Sequence, residues 1–191
     1  MEHIYQNENF GQSWFTYPNL YKFAVSLFAS GSRFVELGAW KGKSSAFMAV
    51  EIANSGKKIE FYCVDHWLGS IEHYDRNSHT YEPEIHRLYD IFTKNMEPVR
   101  DHYIPLRMSS LEASRKFEDK SLDFVFIDAS HEYEDVCIDI DTWKPKVKPG
   151  GFLCGHDYSD AFPGVKKAVN EKLKIFTASE SELCWIHQVQ N

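Results

Sequence analysis

Short apolar runs alternate with amphipathic stretches along this chain, regularly enough to predict its elements. Arg33–Leu37 reads as a strand, and between Ser44 and Asn54 the residues Phe47, Val50 and Ile52 stand among small side chains, predicting a helix packed closely on a sheet. A second strand, Ile59–Val64, ends at Asp65; a third, His102–Leu106, ends before Ser109 and Ser110; a fourth, Leu122–Ile127, ends at Asp128. Between Glu134 and Trp143, Val136, Ile140 and Trp143 recur at helical spacing until Pro145 stops the pattern. Pro149-Gly150-Gly151 turns into a fifth strand, Phe152–Cys154, which ends at Gly155-His156-Asp157. Pro163 opens a helix over Gly164–Leu173 with Val165, Ala168, Val169 and Leu173 on one face. The runs Lys174–Ala178 and Leu183–Val189 are close enough to pair as an antiparallel hairpin.

Repeated βα units ending in a hairpin predict an α/β fold: a Rossmann-like doubly wound sheet, mostly parallel, with helices on both faces and a C-terminal antiparallel hairpin. No repeat, low-complexity tract or linker divides the 191 residues. One domain over residues 1–191 is expected, with 1–30 as an N-terminal extension and 66–100 as an insertion on the substrate side. Ligands of such sheets bind at the carboxyl edge of the strands. Glu36, Asp65, Ser109, Asp128 and Asp157 are all placed there and are expected to converge on one cleft. For any one of them alone, a solvated loop explains its place as well as function does.

Composition narrows the partners. A formal net charge of -7 disfavours nucleic acid, which needs a concentrated basic surface. No apolar stretch is long enough to span a bilayer, and Met1-Glu2-His3-Ile4-Tyr5 lacks the basic start and apolar run of a signal peptide. Cys63, Cys137, Cys154 and Cys184 form no CxxC pair and are expected as reduced thiols, consistent with a cytoplasmic protein. A small-molecule partner is expected, with no membrane contact; the oligomeric state is not encoded in these patterns.

The segment Val35-Glu36-Leu37-Gly38-Ala39-Trp40-Lys41-Gly42-Lys43-Ser44 joins the first strand to the first helix as a ligand-cradling loop. Gly38 is expected to let the backbone turn against the ligand, Gly42 to let the helix approach the sheet, and Ser44 to help cap the helix start. The full GxGxxG of nicotinamide enzymes is missing, as is the spacing of a P-loop, although a phosphate-binding alternative stays open.

This loop resembles the first motif of class I S-adenosylmethionine-dependent methyltransferases, in the form found in catechol O-methyltransferases. Two further segments sharpen the likeness: Phe126-Ile127-Asp128-Ala129-Ser130-His131-Glu132-Tyr133-Glu134, and Pro149 to Tyr158 through Gly155-His156-Asp157. Together they resemble the branch that includes antibiotic and macrolide-sugar O-methyltransferases, over about residues 33–175. The resemblance implies S-adenosylmethionine as cofactor, held by Glu36, Gly38, Ala39, Trp40, Gly42 and Ser44, with Ser109, Ser110 and Asp128 nearby. It also implies that Asp65 accepts the ribose hydroxyls, a role suited to a carboxylate facing a vicinal diol.

In that branch acidic residues after strands four and five hold a divalent metal. The resemblance therefore implies Asp128 and Asp157 as ligands, with His156 standing where the macrolide enzymes have Glu. Oxygen ligands favour Mg2+, and His156 opens the identity of the ion. His131 matches a candidate general base, so His131 and Asp128 are the expected catalytic residues.

The stretch from His66 to Pro98 concentrates Trp67, His73, Tyr74, His79 and Tyr81, predicting a substrate loop over about 66–82. Ile85, Leu88, Tyr89 and Phe92 then predict a helix. His73 and His79 are a less favoured metal pair. The expected activity is methylation of a hydroxyl on a small polar acceptor, a sugar or glycosylated metabolite, with a phenolic acceptor as an alternative. A nicotinamide oxidoreductase and a non-catalytic cofactor-binding domain are the competing readings.

Overall fold

The computed structural model describes residues 1–11, 14–70, 73–78 and 80–190. Among these, seven strands form one sheet: β1 (Arg33–Leu37), β2 (Glu60–Asp65), β3 (Ile104–Arg107), β4 (Leu122–Ile127), β5 (Val147–Gly155), β6 (Thr177–Ser179) and β7 (Cys184–Gln188). Their order is β3-β2-β1-β4-β5-β7-β6. β1 to β5 pair in parallel, and β7 runs antiparallel to both β5 and β6. This is the Rossmann-like sheet with a C-terminal antiparallel hairpin that the pattern predicts.

Strand ends shift where local chemistry competes. β3 begins at Ile104 rather than His102, because Glu97–His102 forms a short 3-10 segment with Pro98 in its first turn. β5 begins at Val147, which pairs with Leu122 before an irregularity in the register, so the Pro149-Gly150 turn lies within the paired strand. The expected strand from Lys174 forms only from Thr177.

The helices are α1 (Pro18–Leu27), α2 (Lys43–Ser55), α3 (Leu88–Met96), α4 (Ser110–Ser114), α5 (Tyr133–Trp143) and α6 (Pro163–Lys172). α1, α2 and α3 cover one face of the sheet; α4, α5 and α6 cover the other. Alternation along the strands sorts the core between these layers. Phe34, Phe124 and Phe126 point toward α1 and α2, while Val35, Leu37, Val125 and Ile127 point toward α5 and α6. Each such burial stabilises by about 1.5–3 kcal/mol.

α1 lies within the N-terminal extension, for which the hydrophobic pattern predicts no element. Pro18 opens it, and Leu20, Tyr21, Ala24 and Val25 bury one stripe against the sheet. No helix among the described residues is long and apolar enough to cross a membrane. The strand order reverses between β1 and β4, so their carboxyl ends open the crevice where doubly wound sheets bind ligands.

Candidate functional site

The floor of the crevice is built by close approach of two loops. Asp128 N–H donates to the Leu37 carbonyl over 2.8 Å, and Gly38 N–H donates to the Val64 carbonyl over 2.9 Å. Gly38 has φ +89°, and a Cβ there would stand 1.8 Å from the Asp128 carbonyl oxygen. The tight turn expected at Gly38 is present, and the space beside its Cα is filled by the β4 loop. The expectation for Gly42 is corrected, since its added Cβ would strike the Met96 and Phe92 side chains of α3 rather than the sheet. Ser44 does not cap α2; Gly42 is the N-cap residue, with no side-chain cap, and Ser44 lies buried in the first turn.

Asp65 is clasped at the end of β2. Its Oδ2 accepts Trp40 N–H over 2.9 Å and its Oδ1 accepts Trp67 N–H over 2.6 Å. Each carboxylate oxygen retains a further lone pair for a ligand hydroxyl. Both tryptophans hold positive φ, +47° at Trp40 and +53° at Trp67, a strained conformation for large side chains. Trp67 is buried against Tyr89 and Phe92, and its indole N–H donates to the Trp40 carbonyl over 2.8 Å. It is thus a core anchor of the 66–82 stretch rather than an exposed substrate contact. His73 packs on Trp40 with ring centroids 4.3 Å apart, and Lys41 pairs with Glu82 over 2.5 Å, so this stretch is pinned onto the glycine loop. Ala39 is buried beside Trp40. His79, and with it the His73–His79 pair, lies outside the described residues; His73 Nδ1 accepts the Ser70 N–H.

Glu36 shares the strand face of Phe34 and is fully buried. Tyr21 donates to its Oε1 over 2.7 Å, and Ser45 donates to its Oε2. Burial outweighs these donors and pushes the carboxyl up to about 7. Ser109 and Ser110 serve structure in this chain. Ser109 forms a capping box with Glu112, and Ser110 donates to Asp139 while accepting the Trp143 indole N–H over 2.7 Å.

The ends of β4 and β5 bring Asp128, His156 and Asp157 together. Their ligand atoms all lie within 4.8 Å of one another, the one such group of His, Cys, Asp and Glu among the described residues. His156 Nδ1 is 3.2 Å from Asp157 Oδ1 and 3.6 Å from Asp128 Oδ1. Ligands at right angles around an ion with bonds of about 2.1 Å would stand roughly 3 Å apart, so the donor set fits a small divalent cation. Burial would push the His156 imidazole down, but the hydrogen bonds and charge of Asp128 and Asp157 outweigh it and hold it up to about 10. Burial acts upward on Asp157, and His131 and His156 outweigh it, holding this carboxyl down at about 2. Asp157 has φ +60°, which costs a residue with a Cβ roughly 1–2 kcal/mol and turns its side chain into the cluster. His131 Nε2 stands 3.0 Å from Asp157 Oδ2, its ring packed on Phe162. A cavity of about 10 Å3, the size of one water, is lined by Asp128, His131, His156 and Asp157 among others.

A family described as a methyltransferase domain matches residues 35–158, from β1 through this cluster. The chain belongs to that methyltransferase family. Membership supports S-adenosylmethionine as the methyl donor. Among curated proteins, the uncharacterized protein y4gI of Sinorhizobium fredii is 32% identical over 125 residues, 65% of this chain. The matched segment spans 13% of that relative's own length. Solved structures with the same fold include an S-adenosylmethionine-dependent O-methyltransferase from Thermotoga maritima, with TM-score 0.62, 14% identity, and coverage of 100% of this chain and 72% of that one. A putative rRNA methylase from Clostridium thermocellum gives TM-score 0.62 at 12% identity, covering 90% of this chain and 95% of that one. Cofactor-bound Rv0187 from MTB gives 0.60 at 16% identity, covering 91% and 81%.

The cluster is contacted by residues that the sequence patterns did not single out. Tyr17 donates to Asp128 Oδ2 over 2.6 Å, with its ring tilted against His156 at a centroid distance of 4.8 Å. Burial, then the Asp128 and Glu36 charges, hold this phenol well above its usual range, so it remains a donor. Thr16 meets His156 Nε2 over 2.8 Å. The amphipathic spacing of α1 could have located Tyr21; nothing in local spacing announces Thr16 or Tyr17.

Proposed function

We propose that this methyltransferase moves the methyl group of S-adenosylmethionine to a hydroxyl oxygen of a small polar acceptor, a sugar or glycosylated metabolite, with help from a divalent cation. The observation that carries the reading is the meeting of Asp128, His156 and Asp157 at the carboxyl ends of β4 and β5. In the β1 crevice beside it, Asp65 would accept the ribose hydroxyls, and the loop from Gly38 to Gly42 would hold the methionine end of the donor. Asp128, His156 and Asp157 would hold the cation, which would acidify the acceptor hydroxyl and fix its oxygen.

The acceptor oxygen attacks the methyl carbon in line with the sulfonium. A C–O bond forms as the C–S bond breaks, the electron pair returns to sulfur, and S-adenosylhomocysteine leaves. The hydroxyl proton passes to His131, whose imidazole is oriented by Asp157; such a base contributes ~10²–10⁴-fold. A cavity of about 270 Å3 lined by Tyr158, Asp160, Lys166 and Glu180 has polar walls that suit a hydroxylated acceptor.

One observation favours a second reading, in which no metal takes part. The His156 imidazolium itself places a positive charge between two carboxylates. S-adenosylhomocysteine release, assayed over a panel of sugars and phenols with and without a chelator, separates these readings. Product formed with the sugars and lost on chelation supports the proposal. Full turnover in chelator removes the cation, and no product with any hydroxylated acceptor removes O-methylation.

A further inference from the structure

The N-terminal segment reaches the cluster through two consecutive residues, each touching the back of one candidate ligand. Thr16 Oγ1 donates to the Glu182 carbonyl oxygen over 2.9 Å and also lies 2.8 Å from His156 Nε2. A hydroxyl has one proton, and a carbonyl oxygen can only accept. That proton is committed to Glu182, so Thr16 must accept from an Nε2–H of His156. The opposite ring nitrogen, Nδ1, then faces Asp157 and Asp128. Tyr17 acts alike on Asp128: it donates to Oδ2 and leaves Oδ1 turned toward His156. Glu182 is itself fixed, its Oε1 accepting Asn19 N–H over 3.0 Å, so the start of α1 and the β6–β7 turn form one clamp.

We propose that Thr16 is a positioning residue that locks the Nε2–H form of His156 and so makes Nδ1 the nitrogen ligand of the cation site. The inference rests on the cation reading above, and goes beyond it by naming the ligand atom and the residue that selects it. A histidine ligand usually gives its second ring N–H to a polar partner, and losing that partner typically costs roughly 10–100-fold in metal affinity. The effect should depend on the ion, because imidazole suits transition metals while Mg2+ draws mainly on oxygen. Thr16 is solvent-exposed, so its replacement leaves the core untouched.

The test uses the full chain with Co2+, Mg2+ and Zn2+ as probes, and needs no acceptor. Calorimetry should show Co2+ affinity falling roughly 10–100-fold in Thr16→Val, with Mg2+ affinity changed far less, and Thr16→Ser should restore the wild-type Co2+ value. Nitrogen NMR of histidine-labelled wild-type chain should show Zn2+ on Nδ1 of His156 with the proton kept on Nε2. Zn2+ on Nε2, or Thr16→Val binding Co2+ like wild type, overturns the inference while the cation reading stands. If the wild-type chain binds none of the three ions, the cation reading falls and takes this inference with it.

Discussion

Tyr17 donates its phenolic proton to Asp128 Oδ2 over 2.6 Å, although 111 positions separate the two residues. The bond ties the entry to α1 to the carboxyl end of β4 and makes the N-terminal segment part of the site. Tyr17→Phe keeps the ring packing on Phe126 and removes only the donor. Its expected cost is ~1.5–3 kcal/mol, the range for a hydrogen bond to a charged group. Urea denaturation checks this, and an unchanged midpoint would show the bond contributes nothing.

Glu36 gives a pH signature. Its folded value, pushed up to about 7 by burial, lies above the ordinary carboxyl value of 4.5. Its contribution to stability is therefore fully present below about pH 4.5 and is lost as pH rises through about 7. Glu36→Gln should flatten the wild-type decline in stability between these values, measured as urea midpoints across the window. Parallel curves for the two chains would refute a raised Glu36.

His156 has the same sign in a higher window. Held up to about 10 by Asp128 and Asp157 against burial, it contributes stability fully below its ordinary value of 6.5 and loses it as pH rises through about 10. His156→Gln in metal-free buffer should remove that alkaline loss. Thermal melts from pH 6 to pH 10 read it directly, and an unchanged alkaline slope would contradict the pairing.

Gly38→Ala should destabilise by more than about 3 kcal/mol, because the added carbon overlaps the Asp128 carbonyl and the backbone is left-handed. Gly150→Ala is the control: φ is +84° but nothing lies within 4 Å of its added carbon, so a loss of about 1 kcal/mol is expected. Equal losses in chemical denaturation would show that conformation alone, and not the loop contact, demands Gly38.

The sheet was legible because its signals are local. Phe124 and Phe126 alternate with Val125 and Ile127 on β4, and turns at Gly38 and Asp128 follow their strands directly. Asp128 and Asp157 were legible because strand ends in this fold meet at one edge, while His156 and His131 were named only through the family resemblance. The close neighbours of Gly38 and Gly42 were not legible, since a sequence does not say that a glycine makes room for the Asp128 carbonyl or for Met96. Trp67 looked like a lid aromatic until its positive φ and its contacts with Tyr89 and Phe92 placed it in the core. Ser110 illustrates a third limit: a serine after a strand reads as ligand-facing, but Asp139 and Trp143 claim its hydroxyl from another helix. Thr16 and Tyr17 lay beyond any local pattern, because their partners are more than a hundred residues away.

The central claim is that this crevice binds S-adenosylmethionine with Asp65 on the ribose. Calorimetric titration of S-adenosylmethionine into wild-type chain and Asp65→Ala tests it most directly. The account predicts saturable binding by wild type, weakened by ~1.5–3 kcal/mol in the variant, with NAD giving no comparable heat. No binding to a folded wild-type chain, or equal affinity in Asp65→Ala, would contradict it.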